Sequence, residues 1–580
     1  MNLQMKERKI LSNDFNNNNA NNGVNNVSFA TSPNAYNQYN NIATPFKVKV
    51  NPLTEVEFEK KDLIAFLITT VLLFFVSYIG ILNFFNFGFT VTMFAFVTFA
   101  FFYLYNKKSN GKAFNLFLYI SSVLLISSFS LNNDGLIKFI TIIYLLFVLV
   151  ISFTGISGNI TEKDSNYYWF LDAIFKPITK TFENILSPFK SAKGSVKNNK
   201  IKNIMPVLIG IAVAVPMLFI IIPLLSSSDI AFESVINSIF ENTEFIICSI
   251  IITLVLTPAF YSLIFYLKKA PSIEKETMKK YKGKLAVSGI NAFLISISFV
   301  YLFYLFTQLA YIVDAFKFVL PEDYTAAEFA RSGFFQMAVI VFINFVILGL
   351  TAINVKRNDL KLPKSTKAIL LFISDFSIFY ISTAIFKMMK YISLYGLTRL
   401  RVLTSVFMLM LALIFVIIIL KLIFNKIKYI KPIIVICTLT LLSISMVNIN
   451  TVIADYNYKN FKAGKIEIDV SQIDSLGVSG IPVLTKLVDE SDEEISFKAK
   501  EALSYTNGDI YFNPFSLDAE RVEPVKNSVF EYNKTWLEAK ESLDNFKKSH
   551  PEFTDENFEK ESNEYYDIEG DTYDEYNPWY

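Results

Sequence analysis

The sequence predicts an all-α polytopic membrane bundle of about eleven transmembrane helices, a small mixed α/β extracytoplasmic C-terminal region, and disordered ends. Two observations carry the bundle. The 580 residues are 53% hydrophobic, with 58 Phe and a mean hydropathy of +0.39, far from a soluble average. The apolar residues also fall in separate runs near 63–82, 87–105, 113–130, 136–156, 204–225, 245–267, 288–312, 335–354, 368–388, 402–424 and 432–449. Each approaches the roughly 20 residues that cross a bilayer at 1.5 Å per residue.

The loops between the runs supply the orientation. Loops 106–112, 157–203, 268–287, 355–367 and 425–431 carry 26 Lys and Arg, against 5 in the alternate loops. Positive charge marks the cytoplasmic side. The predicted topology therefore puts the N-terminus inside and, after an odd number of spans, the C-terminus outside, in a bacterial plasma membrane. With the first apolar run starting near Leu63, no signal peptide is expected, and the first span serves as the insertion signal.

Taken in order, residues 1–46 are Asn-rich and too poor in apolar residues to offset the entropy of ordering, which predicts a disordered arm. Residues 60–156 hold the first four spans. In the basic loop 157–203, Phe175, Ile178, Phe182, Ile185, Leu186 and Phe189 recur at helical spacing while Lys176, Lys180 and Glu183 point elsewhere. Such a stretch either lies flat on the cytoplasmic leaflet or packs on the bundle as a helix pair. Residues 204–449 hold seven further spans, the first of them interrupted by Pro206, Pro216 and Pro223. The last is expected to continue as helix to about Tyr458 and to end at Gly464. In the region 450–548, KIEIDV (465–470) alternates as a short strand would, and 493–505 and 528–547 have helical patterns. Residues 549–580 form an acidic tail expected to be disordered.

Arginine is scarce, six residues against forty-eight lysines, and Arg331, Arg399 and Arg401 lie in two loops assigned to the outer side. Arginine's planar fork holds a carboxylate or phosphate through two parallel bonds. An external anion-binding cluster of these three, with Glu328 and Tyr395 nearby, is one expectation. Separate pairing of each arginine with a local carboxylate, or snorkelling to headgroups, is the other. Between them, Gly396 and Thr398 are expected to end one helix and cap the next. Asp375 is the carboxylate well inside a span, where its cost requires protein or water around it. It serves either a function or a structural hydrogen bond.

One His and two separated Cys give no metal-ligand spacing, and no nucleotide loop or nucleophile–base pair is visible. No metal, no cofactor and no nucleic-acid partner are expected. Membrane lipids are, with an envelope protein or a lipid-linked anion as further candidates.

Four stretches, IIIPLLSSSDIAFESV (220–235), YTAAEFARSGFFQ (324–336), YGLTRLR (395–401) and VNINTVIADYNYKNFKAGKIEIDVSQIDSLGVSGIPVLTKL (447–487), resemble one family. It is the uncharacterised bacterial polytopic membrane proteins of domain of unknown function 4173, close to 4153. The resemblance covers roughly residues 200–490 and implies a membrane fold without an activity. Ser332 follows Arg331 where such proteins tend to carry a second arginine. A non-enzymatic envelope sensor or assembly partner is the function expected; a small-solute transporter and an enzyme acting on a lipid-linked anion are the alternatives.

Overall fold

The computed structural model describes residues 59–81, 85–106, 109, 111–132, 134–160, 167–186, 244–270, 285–315, 326–356, 362–506 and 533–551, with a few positions between 214 and 229. The expected disordered arm, most of the run 204–225 with all three of its prolines, and the acidic tail from residue 552 lie outside them. Pro52–Tyr580 forms one compact unit.

Among the described residues nine helices are long and apolar enough to cross a membrane, or ten if one bent pair counts as a span. The first four are α1 (Lys60–Phe75, prolonged by a π-helical turn Val76–Ile81), α2 (Phe87–Leu104), α3 (Lys112–Ser127) and α4 (Gly135–Ser157). A short run, Tyr167–Phe170 and a π turn Leu171–Phe175, leads into α5 (Lys176–Glu183). Then come α6 (Glu244–Lys269), α7 (Val287–Ala315), α8 (Ala326–Asn354), α9 (Lys364–Tyr395) and α10 (Arg399–Ile423). The bent pair is α11 (Ile430–Met446) and α12 (Ile449–Lys462). These ten correspond in position to ten of the eleven expected spans.

They form two bundles. The first packs α1–α4 with α6 around Phe96, Phe129, Tyr261 and Phe265. The second packs α7–α10 around Ile373, Phe376, Met408 and Phe415. Helix α11 joins them, packing on α3 and α4 on one side and α10 on the other. Apolar packing gives little net gain against lipid, so polar contacts within the membrane matter for choosing neighbours. Thr141 meets Ser445 at 2.9 Å, and Tyr144 meets Thr438 at 2.8 Å, fixing α11 against α4. In the second bundle buried Asn344 accepts from Tyr301 at 2.6 Å and donates to Ser377 at 2.9 Å.

The helix ends sort onto two faces. One face gathers the ends rich in basic loops: Tyr103 and Lys269 close on Asp62, Asn159 Nδ2 donates to the Leu267 carbonyl, and Lys367 Nζ donates to the Ile423 carbonyl. The other gathers the starts of α2 and α4 (Lys138 Nζ to Asn86 Oδ1, 3.0 Å) and the start of α10. We call these the Lys269 face and the Asp134 face.

The C-terminal region sits on the Asp134 face and corrects the expected α/β mixture. Among the described residues it is helical: α12, α13 (Val470–Asp474), α14 (Ile481–Leu487), α15 (Glu493–Thr506) and α16 (Lys534–Ser549). The alternating KIEIDV stretch has no strand beside it. Its Asp469 side chain instead accepts from Gln472 N at 3.1 Å and starts α13. The helix expected to run to Tyr458 is also not continuous. It breaks by 65° after Met446, and Asn448 caps the new helix by accepting from Thr451 N at 3.2 Å. Ile453, Ile473, Leu484, Leu503 and Phe546 make the core of this region, which extends to Ile137 of α4 and Leu403 of α10.

Close approach fixes the first helix pair. A Cβ on Gly88 of α2 would stand 2.5 Å from the Ile79 carbonyl oxygen. Gly88→Ala should therefore push α1 and α2 apart at a cost of about 2 kcal/mol. We expect a lower melting midpoint by size-exclusion thermostability in detergent. Gly289→Ala, with nothing within 4 Å of the added atom, should leave it unchanged.

Candidate functional site: the Asp134 junction

The site begins with a capping residue. Asp134 precedes α4, and its Oδ1 accepts from Ile137 N at 3.0 Å, satisfying one of the free donors at the helix start. The positive end of the helix dipole favours the carboxylate there. Its backbone N–H is held by Asn132 Oδ1 at 2.8 Å. The Asp134 side chain is 1% exposed, so its charge needs a partner.

Arg399, the first residue of α10, is that partner. Its Nη2 donates to Oδ1 at 3.0 Å, and its Nε stands 2.8 Å from Oδ2. Asn450, in the first turn of α12, donates to Oδ2 at 3.3 Å. One carboxylate thus joins the first bundle, the second bundle and the C-terminal region.

The neighbouring contacts widen the junction. Asn533 caps α16 and donates to the Asn132 carbonyl at 3.1 Å, while Thr535 donates to the Leu131 carbonyl at 3.0 Å. Asn448 donates to Thr535 Oγ1 at 2.7 Å. The YGLTRLR turn is held from the other side. Asn457 of α12 donates to the Leu397 carbonyl and accepts from its N–H, both at 2.8 Å, and Gln472 donates to the same carbonyl at 2.6 Å. Gly396 lies tight against Asn457, where a Cβ would meet Oδ1 at 2.6 Å. Its φ of 73° is positive as expected, but with ψ at −172° it is the extended region open to glycine rather than the left-handed helical one. Thr398 caps α10, accepting from Arg401 N at 3.3 Å.

Arg399 pairs with Asp134. Arg401, two residues on, donates through Nη1 to the carbonyls of Tyr395 (2.8 Å) and Gly396 (2.7 Å), and its guanidinium lies 3.9 Å from the Tyr391 ring centroid. It thereby satisfies carbonyls at the end of α9, as a cation at a helix C-terminus should. Tyr395 contributes its carbonyl. Glu328 and Arg331 belong to the first turns of α8, and their side chains lie outside the described residues. Asp375 stands on an exposed face of α9, while its neighbours Ser374, Phe376 and Ser377 turn into the bundle.

Sequence reasoning missed Asp134, Asn448, Asn450 and Asn457. It also missed a second buried carboxylate, Asp62 on the Lys269 face. Asp62 pairs with Lys269 at 2.9 Å and accepts from the Tyr103 hydroxyl at 2.9 Å. The available signal was an Asn-Asn-Asp-Gly run directly before an apolar helix, a capping signature.

Helices that cross a membrane several times, tied together at each face by a buried carboxylate–cation pair, define a multi-pass helical membrane protein. The chain belongs to the family described as domain of unknown function (DUF4153), which matches residues 63–487. It is this domain, rather than its neighbour 4173, that is shown, and the match reaches back through the first four spans. No curated protein and no solved structure matches the chain.

Removing Arg399 alone should be costlier than removing both partners. Arg399→Leu leaves a buried carboxylate uncompensated, a loss of about 3 kcal/mol. Asp134→Asn keeps a cap and an acceptor and leaves a guanidinium that is 39% exposed, so about 1 kcal/mol is expected. The double variant should be more stable than Arg399→Leu alone, measured as thermostability of the purified chain. Strict additivity of the two losses would show that the pair does not couple.

Proposed function

We propose that this is a non-enzymatic protein of the bacterial plasma membrane, an envelope sensor or assembly partner. The Lys269 face is cytoplasmic, and the C-terminal region is the outer platform that meets another envelope protein. The observation that carries this reading is the Asp134 junction. It mounts α12 on the start of α4 and on α10, and α16 on the turn between α3 and α4, so the C-terminal region is anchored to both bundles rather than hanging from one span. Both described arginine forks in the region, Arg399 and Arg401, are engaged in holding this geometry. A contact made by the platform is thereby coupled mechanically to the membrane helices. The charge of the loops supports the orientation, since the basic loop ends collect on the Lys269 face.

Two measurements test the reading. With Cys248 and Cys437 replaced, single cysteines at Ser491 and Asn425 are treated in intact cells with a membrane-impermeant thiol reagent. Ser491→Cys should label and Asn425→Cys should label only after lysis; the reverse would overturn the orientation. Mass spectrometry of the chain purified in mild detergent should show one envelope protein in stoichiometric amount, retained in wild type and lost in Arg399→Leu. A co-purified polyprenyl phosphate in its place would favour an enzyme on a lipid-linked substrate.

A further inference from the structure

Helix α5 and the turns around it carry a second surface that the Asp134 junction does not use. One side of the segment 167–186 is packed on the first bundle. Trp169, Ala173 and Ile174 are buried with Leu118, Val148, Ile151 and Ile434, and the Ile185 carbonyl accepts from Ser262 Oγ at 2.9 Å. Four apolar residues of the segment face away. Phe175, Ile178, Phe182 and Leu186 are 53%, 37%, 69% and 40% exposed; Ile178 and Phe182 stand one turn apart on α5, with Phe175 at the end of the π turn before it and Leu186 in the turn after it. Of the two alternatives read from the sequence, a helix on the leaflet and a helix pair packed on the bundle, packing on the bundle is seen for one side, and the other side is left open.

The depth of the row says what it meets. Ile151 lies six residues before the end of α4, and Ser262 seven before the end of α6. At 1.5 Å per residue these anchors are about 10 Å inward from the Lys269 face. An interfacial amphipathic helix buries its apolar face about 5–10 Å into the boundary of headgroups and acyl chains. Water at that depth would leave two phenylalanines and two aliphatic side chains solvated on a helix otherwise well packed. The chain that follows carries five lysines and no carboxylate between Lys190 and Lys202. That charge complements anionic headgroups next to an inserted apolar row.

We infer that the row Phe175–Ile178–Phe182–Leu186 is a phospholipid-binding surface, inserted into the leaflet at the Lys269 face and selective for anionic lipid. Phe182 and Phe175 reach among the upper acyl carbons. The helix therefore couples the lipid composition of one leaflet to the packing of α4 and α6.

The test uses the full chain in lipid nanodiscs, with Cys248→Ser, Cys437→Ser and Phe182→Cys, the last labelled with bimane. Lipid brominated at acyl positions 6 and 7 should quench the probe, and aqueous iodide should not. The same probe at Asn425→Cys, exposed on the loop between α10 and α11, should show the opposite pattern. In mixed nanodiscs of equal composition, bromine placed on phosphatidylglycerol should quench at least twofold more than bromine placed on phosphatidylcholine. Iodide quenching at 182 would overturn the inference by showing a water-facing row. Absence of quenching by either agent would overturn it by showing a row covered by protein. Equal quenching by the two brominated lipids would overturn the anionic selectivity.

Discussion

The structure depends on one buried charge. Asp134 is needed as a cap where α4 begins, yet a carboxylate out of water is tolerated only with a cation and hydrogen-bond donors around it. Arg399 and Asn450 supply them from chain positions about 265 and 316 residues away. A local requirement of one helix end thus becomes the point where two bundles and the C-terminal region are joined. Asp62 repeats the arrangement on the opposite face. It lies in the first turn of α1 and takes its cation, Lys269, from the end of α6. Between the faces the packing is largely apolar, so these pairs set which helix ends meet.

The bend between α11 and α12 follows from the same geometry. A straight helix through Val447 would carry Asn448, Asn450 and Asn457 away from the membrane face. The 65° turn instead lays α12 so that Asn450 reaches Asp134 and Asn457 clamps the Leu397 peptide. Gly396 has no side chain to obstruct that approach, and the positive φ it adopts lets the α9–α10 turn be short. YGLTRLR and the start of α12 therefore meet twice, through the shared Asp134 carboxylate (Arg399 and Asn450) and through Asn457 on the Leu397 peptide.

Much of the membrane architecture was legible because hydrocarbon imposes a length on apolar runs. The ten described spans fall where the runs fall, and the sorting of helix ends follows the Lys and Arg of the loops. The roles of Gly396 and Thr398 were legible from their backbone chemistry. The junction was not, because the Asn-Asn-Asp-Gly run at 132–135 signals a helix cap and nothing more, and the cation that pairs with Asp134 is recognisable only when the chain is folded. The arginines were noticed for their scarcity, but scarcity does not say whether a fork holds a ligand or the protein's own carboxylate and carbonyls. KIEIDV misled because alternation over six residues is also what a turn entering a capped helix can show. An alternating stretch becomes a strand only with an adjacent strand to bond.

The Asp134–Arg399 pair holds the C-terminal region on both bundles. Hydrogen–deuterium exchange of the intact chain in nanodiscs, wild type against Arg399→Leu, tests it most directly. Exchange should be faster in Arg399→Leu at amides of α12, α16 and the first turn of α4, with the interiors of α7 and α9 unchanged. Faster exchange confined to the first turn of α10, with α12 and α16 fully protected, would contradict it.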